Sequence, residues 1–289
     1  MSNKIILTVA PTGNVPTREM NPNVPLTPQE IAAQIYECWR EGAAVCHIHT
    51  RDKQGLPTSD VEVNREILAE LDKYPDCDII RQLSTGGRAG KNYMERGQML
   101  CLCPEMASLA TGSSNFPTRG NFNDPETVSY LASEMRKYKI KPEIEVFDTA
   151  MLWSAFKLAE KGEVFTPLHI NLVMGMNGSQ PASEKALLYL YDHLPKDCTW
   201  GVTIIGKEHV KLSVIAMALG GHVRVGLEDN IYHVKGVLST NLGLLRRMKQ
   251  IALAIGRELA TPAEARQMLG LPAKPIATKM KNQVAQAQE

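Results

Sequence analysis

Two histidines one residue apart, His47 and His49, close the apolar run "AAVCHIHTRD" (43–52). Alternate side chains of a strand share a face, so these two imidazoles point the same way and can share a divalent cation. The competing explanation is a pair of hydrogen-bonded core histidines. A second run, "HVRVGLED" (222–229), adds weight to the metal. Its apolar Val223, Val225 and Leu227 suit a buried outer face, which leaves His222, Arg224, Gly226 and Glu228 on the opposite side. Unpaired buried charge is costly, so Glu228 needs a cation there and Arg224 needs a carboxylate. Asp229 follows where the strand should end, and "EIEVFDT" (143–149) supplies Glu143 and Glu145 by the same alternation. Ser84 stands in "RQLSTGG", where Gly86 and Gly87 let backbone N–H groups approach an anion. Two imidazoles and one carboxylate with open positions form a recurring catalytic metal set. Zn2+ is the first choice, with iron, cobalt and manganese open.

Such groups need a scaffold that brings distant strand ends together. Eight β-rich runs can be marked, at 4–10, 43–50, 78–85, 105–111, 143–149, 168–175, 199–206 and 222–229. Helix-like stretches separate them. The first, "TPQEIAAQIYECWREG", opens with an N-cap Thr27, a proline at the first helical position and Glu30 completing a capping box, and stops at Gly42. Eight alternations predict an α/β fold of the (β/α)8 TIM-barrel type, with an open doubly wound sheet as the competing fold. In a barrel the chemistry gathers at the C-terminal strand ends, where His47, His49, Ser84, Glu228 and Asp229 all fall. Residues 1–271 are expected to form a single catalytic domain, and 272–289 a polar C-terminal arm.

Composition narrows the function. The chain of 289 residues is 44% hydrophobic and 22% charged, enough for one large core. Its 32 basic and 31 acidic residues leave a net charge of +1, which argues against nucleic acid or an anionic membrane as partner. No apolar run reaches the length of a bilayer span, so a soluble cytoplasmic protein is expected. The six cysteines are scattered and expected to be reduced; Cys101 and Cys103, which lack a second pair nearby, are expected to be buried structural thiols. A P-loop, a dinucleotide fingerprint after the first strand and a nucleophile elbow are all absent from the sequence. Two other functions compete. A metal-dependent hydrolase of the amidohydrolase type also uses His-x-His, but on its first strand and with further histidines later. A metal-binding scaffold without turnover would have little use for an inward arginine.

The segments "CHIHTRD", "LSTGG", "EMASLATGSSNF", "PEIEVFDTAM", "GGHVRVGLEDN" and "ATPAEAR" together resemble the β-keto acid cleavage enzymes, the family of the 3-keto-5-aminohexanoate-cleaving enzymes. The resemblance runs from "LTVAPTGN" to "ATPAEARQMLG". It implies a TIM barrel, usually a homotetramer, with zinc on His47, His49 and Glu228. It also implies acetyl-CoA as co-substrate, in a reaction that converts a β-keto acid to acetoacetate and a new acyl-CoA. Asp229 then corresponds to the general base, oriented by Arg224, and Glu145 to a glutamate that orients the reacting atoms. Ser84, Gly87 and Ser108 correspond to the carboxylate-binding groups. Asn14 and Val15 stand where the aminohexanoate-cleaving members carry a glutamate, so a substrate without positive charge is expected, with Asn14 beside it.

Overall fold

The structure, a computed structural model, describes residues 3–87, 92–116 and 120–273. Eight parallel strands close into a barrel: β1 (Leu7–Val9), β2 (Val45–Ile48), β3 (Ile80–Leu83), β4 (Met106–Ala110), β5 (Lys141–Val146), β6 (His169–Met174), β7 (Thr199–Ile204) and β8 (His222–Val225). Each strand pairs with its neighbours in sequence, and β8 closes on β1 through Thr8 opposite Arg224. The expected (β/α)8 TIM barrel is the fold. Even the fourth run, poor in β-branched residues, is a strand, because all five of its residues are buried.

Helices α1 (Pro28–Glu41) and α2 (Val61–Leu71) cover the first strands, and α1 has the expected capping box on Thr27 and a left-handed Gly42. After β3 come the short α3 (Tyr93–Gly97) and a 3-10 turn, Gln98–Leu102. The remaining layer is α4 (Pro125–Lys137), α5 (Thr149–Glu160), α6 (Glu184–Asp192), α7 (His209–Ala218) and α8 (Asn241–Ala254). Buried side chains of strands and helices merge into one apolar cluster between the layers. No helix among the described residues is long and apolar enough to cross a membrane. The cysteines form no disulfide, yet Cys101 is exposed and Cys103 only half-buried, not buried as expected, because they lie in and at the end of the outer 3-10 turn. Of the polar arm, residues 274–289 lie outside the described residues.

The "ATPAEAR" segment closes the N-terminal end of the barrel. Helix α9 (Pro262–Leu269) places Ala265 and Leu269 against Ile6, Val45, Ile80 and Met106, the lowest inward side chains of the first four strands. Arg266, 1% exposed, bonds both carboxylate oxygens of Glu105 at 2.6 and 3.0 Å and the Asp78 carbonyl at 2.8 Å. Removing one partner of such a pair strands the other charge, so Arg266→Met is expected to lose about 3–5 kcal/mol of stability. Denaturant unfolding checks this. Arg266→Met combined with Glu105→Leu should recover most of the loss, and additive losses would show that the pair is not coupled.

Candidate active site

The C-terminal end of β8 is shaped by a turn, not by a longer strand. The strand expected over 222–229 stops at Val225, and Asp229 and Asn230 both donate backbone N–H bonds to Gly226. Gly226 is required here because a Cβ would overlap the Ala10 carbonyl at the end of β1. Glu228 therefore reaches the barrel mouth from this turn, with its N–H on Ala10 at 3.2 Å. The strand alternation assigned the right side to Glu228 although the strand itself ends earlier. Gly13 makes room for the same side chain, because a Cβ there would overlap Cγ of Glu228.

His47 and His49 meet Glu228. Nε2 of His49 is 3.1 Å from one Glu228 oxygen and Nε2 of His47 is 3.7 Å from the other. The ligand atoms of the three lie within 4.8 Å of one another. Nδ1 of His47 is 2.5 Å from Gln82 Oε1, its neighbour across the β2–β3 register. A proton on Nδ1 satisfies that contact and turns the Nε2 lone pair towards Glu228. Burial, reinforced by Arg224, pushes the His47 imidazole down to about 3, so it is neutral. A lone pair facing a carboxylate oxygen is repulsive unless a cation lies between them, and that oxygen, Glu228 Oε2, is buried without a hydrogen-bond partner. The donor set fits a divalent ion.

Arg224 organises the acids. Its Nε and Nη2 hold both oxygens of Asp229 at 3.1 and 3.0 Å, Nη2 lies 2.6 Å from Glu228, and Nη1 lies 3.2 Å from Glu145. Burial opposes charge on Glu228, but Arg224 and the two imidazoles outweigh it and hold the carboxyl well below its usual range. Asp229 goes the other way: burial, with Glu228 beside it, raises it to about 7 against the pull of Arg224. Burial also lifts Glu145 to about 8, with the neighbouring acids adding to it. Glu143 sits deeper, bonded by Asn171 at 3.2 Å and facing His169 at 3.3 Å.

A cavity of about 120 Å³ lies over this cluster. Asn14, His49, Ser84, Gly87, Glu145, Arg224, Glu228 and Asp229 line it, as their sequence positions suggested. His47 lies beneath, 1% exposed. Ser108 is not among the lining residues. It is 1% exposed, its Oγ accepts from Thr85 N at 3.3 Å, and its carbonyl accepts from the Thr85 hydroxyl, so it supports the Ser84–Gly87 turn from below. Ser84 Oγ in turn accepts from Gly86 N. Apart from Gly86 and Asn121, whose buried Oδ1 has no hydrogen-bond partner among the described residues, the rest of the wall is apolar: Val15, Phe116, Phe147, Val173, Met176 and Ile205. Of these only Val15 stood out in the sequence. Arg51, in the "HIHTRD" run, bonds the carbonyls of Gly13 and Pro16 and so fixes the loop that carries Asn14 and Val15. Among the described residues the other histidines join no metal-ligand cluster, which removes the histidine-rich hydrolase site as a fit.

The family description "beta-keto acid cleavage enzyme" matches residues 4–271. The chain belongs to the beta-keto acid cleavage enzyme family. Over 281 residues it is 40% identical to 3-oxoadipate:acetyl-CoA acetyltransferase of Cupriavidus necator, covering 96% of this chain and 98% of that one. It is 39% identical over 274 residues to 3-keto-5-aminohexanoate cleavage enzyme of Fusobacterium nucleatum, covering 94% and 99%. Among solved structures, a ternary complex of ObcA with C4-CoA adduct and oxalate superposes with a TM-score of 0.73 at 21% identity, over 86% of this chain and 68% of that one. That likeness concerns the fold. As a member of the β-keto acid cleavage enzymes, the chain is a carbon–carbon bond-cleaving acyl-transfer enzyme that takes a β-keto acid and acetyl-CoA.

Proposed function

We propose that the chain binds zinc at His47, His49 and Glu228 and converts an uncharged or acidic β-keto acid and acetyl-CoA to acetoacetate and the corresponding acyl-CoA. Residues 1–271 act as one catalytic domain in a cytoplasmic homotetramer. The observation that carries the reaction is the two-point Arg224–Asp229 pair set beside the imidazole–carboxylate cluster on the cavity floor. When bound there, the ion supplies Lewis-acid polarisation of the keto acid's oxygens. The chain's own residues do the rest. Ser84, Asn14 and the Gly86–Gly87 backbone hold the substrate carboxylate, with Ser108 supporting their turn. Asp229, aimed by Arg224 and raised towards neutrality by burial, takes the proton between keto and carboxylate groups. Glu145 keeps its proton at neutral pH and donates a hydrogen bond to the reacting oxygens.

The carbanion attacks the acetyl carbonyl and expels the CoA thiolate. That thiolate then attacks the original ketone carbon. The carbon–carbon bond breaks, acetoacetate leaves as a carbanion that recovers its proton from Asp229, and the new acyl-CoA departs. A thioester assay over a panel of β-keto acids tests this reading, and no turnover with any of them would overturn it.

The apolar wall sets a second expectation. An ammonium beside Val15, Phe116 and Met176 would lose its hydration and gain only uncharged acceptors such as the Asn14 and Asn121 amides. Glu19, the acid in the same loop, is exposed and is not among the lining residues. Neutral or acidic β-keto acids should therefore be preferred over amino-substituted ones by about tenfold or more in kcat/KM. Competition kinetics measure the ratio, and a preference for the amino substrate would show that Glu145 or Glu19 meets the cation.

A further inference from the structure

The cavity over Asp229 has room for a keto acid and an acetyl group, but coenzyme A also brings a nucleotide with several phosphate charges. A groove of about 860 Å³ lies next to it. The two share a wall: Ile205 and Asp229 line the cavity, and the next residues, Gly206 and Asn230, line the groove. Asn230 stiffens that wall, accepting from Gly206 N at 2.7 Å and donating to the Ile204 carbonyl at 2.8 Å. The groove runs between the loop after β7 and the hairpin formed by Tyr232–Val234 with Val237–Leu238 after β8. Loops after the seventh and eighth strands are a recurrent phosphate-binding place in (β/α)8 barrels.

Its chemistry suits a polyanion with an aromatic end. Lys207, Lys211, Lys235 and Arg247 line the groove, and no carboxylate does. Lys211 is engaged by Glu184 and Glu208, and Lys207 lies 4.0 Å from Glu208. Lys235 and Arg247 have no carboxylate partner among the described residues, and Arg247 spends one nitrogen on the His233 carbonyl. Tyr232 and Val234, 46% and 47% exposed, offer an apolar flank.

We propose that this groove seats the phosphate-bearing nucleotide of the CoA thioester, with Lys207, Lys235 and Arg247 on the phosphates and Tyr232 against the base. The pantetheine arm then crosses the Ile205–Asn230 wall to Asp229. The proposal rests on the acyl-transfer reading, and its test separates the two. The exposed pair Lys207→Glu and Lys235→Glu is made together in the full chain. Two measurements follow: calorimetric titration with adenosine 3′,5′-bisphosphate, the nucleotide end alone, and steady-state kinetics with acetyl-CoA or with S-acetyl-N-acetylcysteamine, which lacks the nucleotide.

The parent should bind the bisphosphate more weakly as salt rises. The double variant should lose about tenfold or more in that affinity and gain as much in KM for acetyl-CoA. Its kcat, and its turnover of the short thioester, should stay within about twofold of the parent. Unchanged affinity and KM overturn the proposal, as does an equal loss with both thioesters. Weakened self-association in sedimentation at an unchanged KM also overturns it, assigning the groove to a contact between copies. If the parent turns over neither thioester, the acyl-transfer reading fails and the bisphosphate titration alone decides the groove.

Discussion

His47→Ala and His49→Ala are expected to lose the metal and, with it, all measurable acyl transfer, while unfolding close to the parent. About one divalent ion per chain is expected in the parent and far less in either variant, by elemental analysis of protein purified without chelator. The fold should survive because β2, which carries His47 and leads into His49, is paired on both sides and the apolar cluster between strands and helices is untouched. Gln82 gives a graded version. It holds Nδ1 of His47 at 2.5 Å and so fixes the tautomer that presents Nε2. Loss of such a support typically weakens metal binding about 10- to 100-fold, so Gln82→Leu should load at high metal concentration and empty on dilution. Full metal occupancy in both histidine variants would sink the assignment and return the pair to the role of core histidines.

Much of this site was readable because strand periodicity is a local property. His47 lies in β2 and His49 just past its end, still on the same face, and Arg224 lies in a strand whose apolar residues alternate cleanly. Glu228 came out on the right side, although Gly226 ends the strand and a turn delivers the carboxylate; the close approach of Gly226 to Ala10 depends on barrel closure, which no local pattern encodes. Gln82 illustrates the same limit. It supports His47 only because β2 and β3 pair in that register, 35 positions apart in sequence. Ser108 sits on an inward-facing strand like the others, yet the Ser84–Gly87 turn covers it. Phe116, Phe147, Val173 and Met176 look like ordinary core in the sequence, and only the closed barrel turns them towards the cavity. The basic groove was out of reach for a further reason: its cations come from two loops and two helices, with no spacing that marks them as a set.

Replacing Asp229 with asparagine should separate binding from chemistry. Asn keeps the shape and can still accept from Arg224, but it cannot take a proton at neutral pH. Metal and keto acid should bind while exchange of the keto acid's α protons with deuterated water, followed by NMR without acetyl-CoA and corrected for uncatalysed exchange, falls about a hundredfold to ten-thousandfold. Glu228→Gln should behave differently, giving up the metal itself. Arg224→Met should fall between the two: it frees Asp229 from both of its hydrogen bonds, so the carboxylate is misaimed while its proton affinity rises. The pH profile of the parent follows from the same geometry. The base works ionised, so exchange should rise with pH and level off once Asp229 has lost its proton. Burial and Glu228 place that loss at about 7 in the protein alone. A divalent charge on the neighbouring ligands favours the carboxylate, so the metal-loaded enzyme should level off at lower pH. Were Asp229→Asn to exchange as fast as the parent, the base would be another group in reach of the cavity, and Glu145, 3.2 Å from Arg224, is the carboxylate placed to serve.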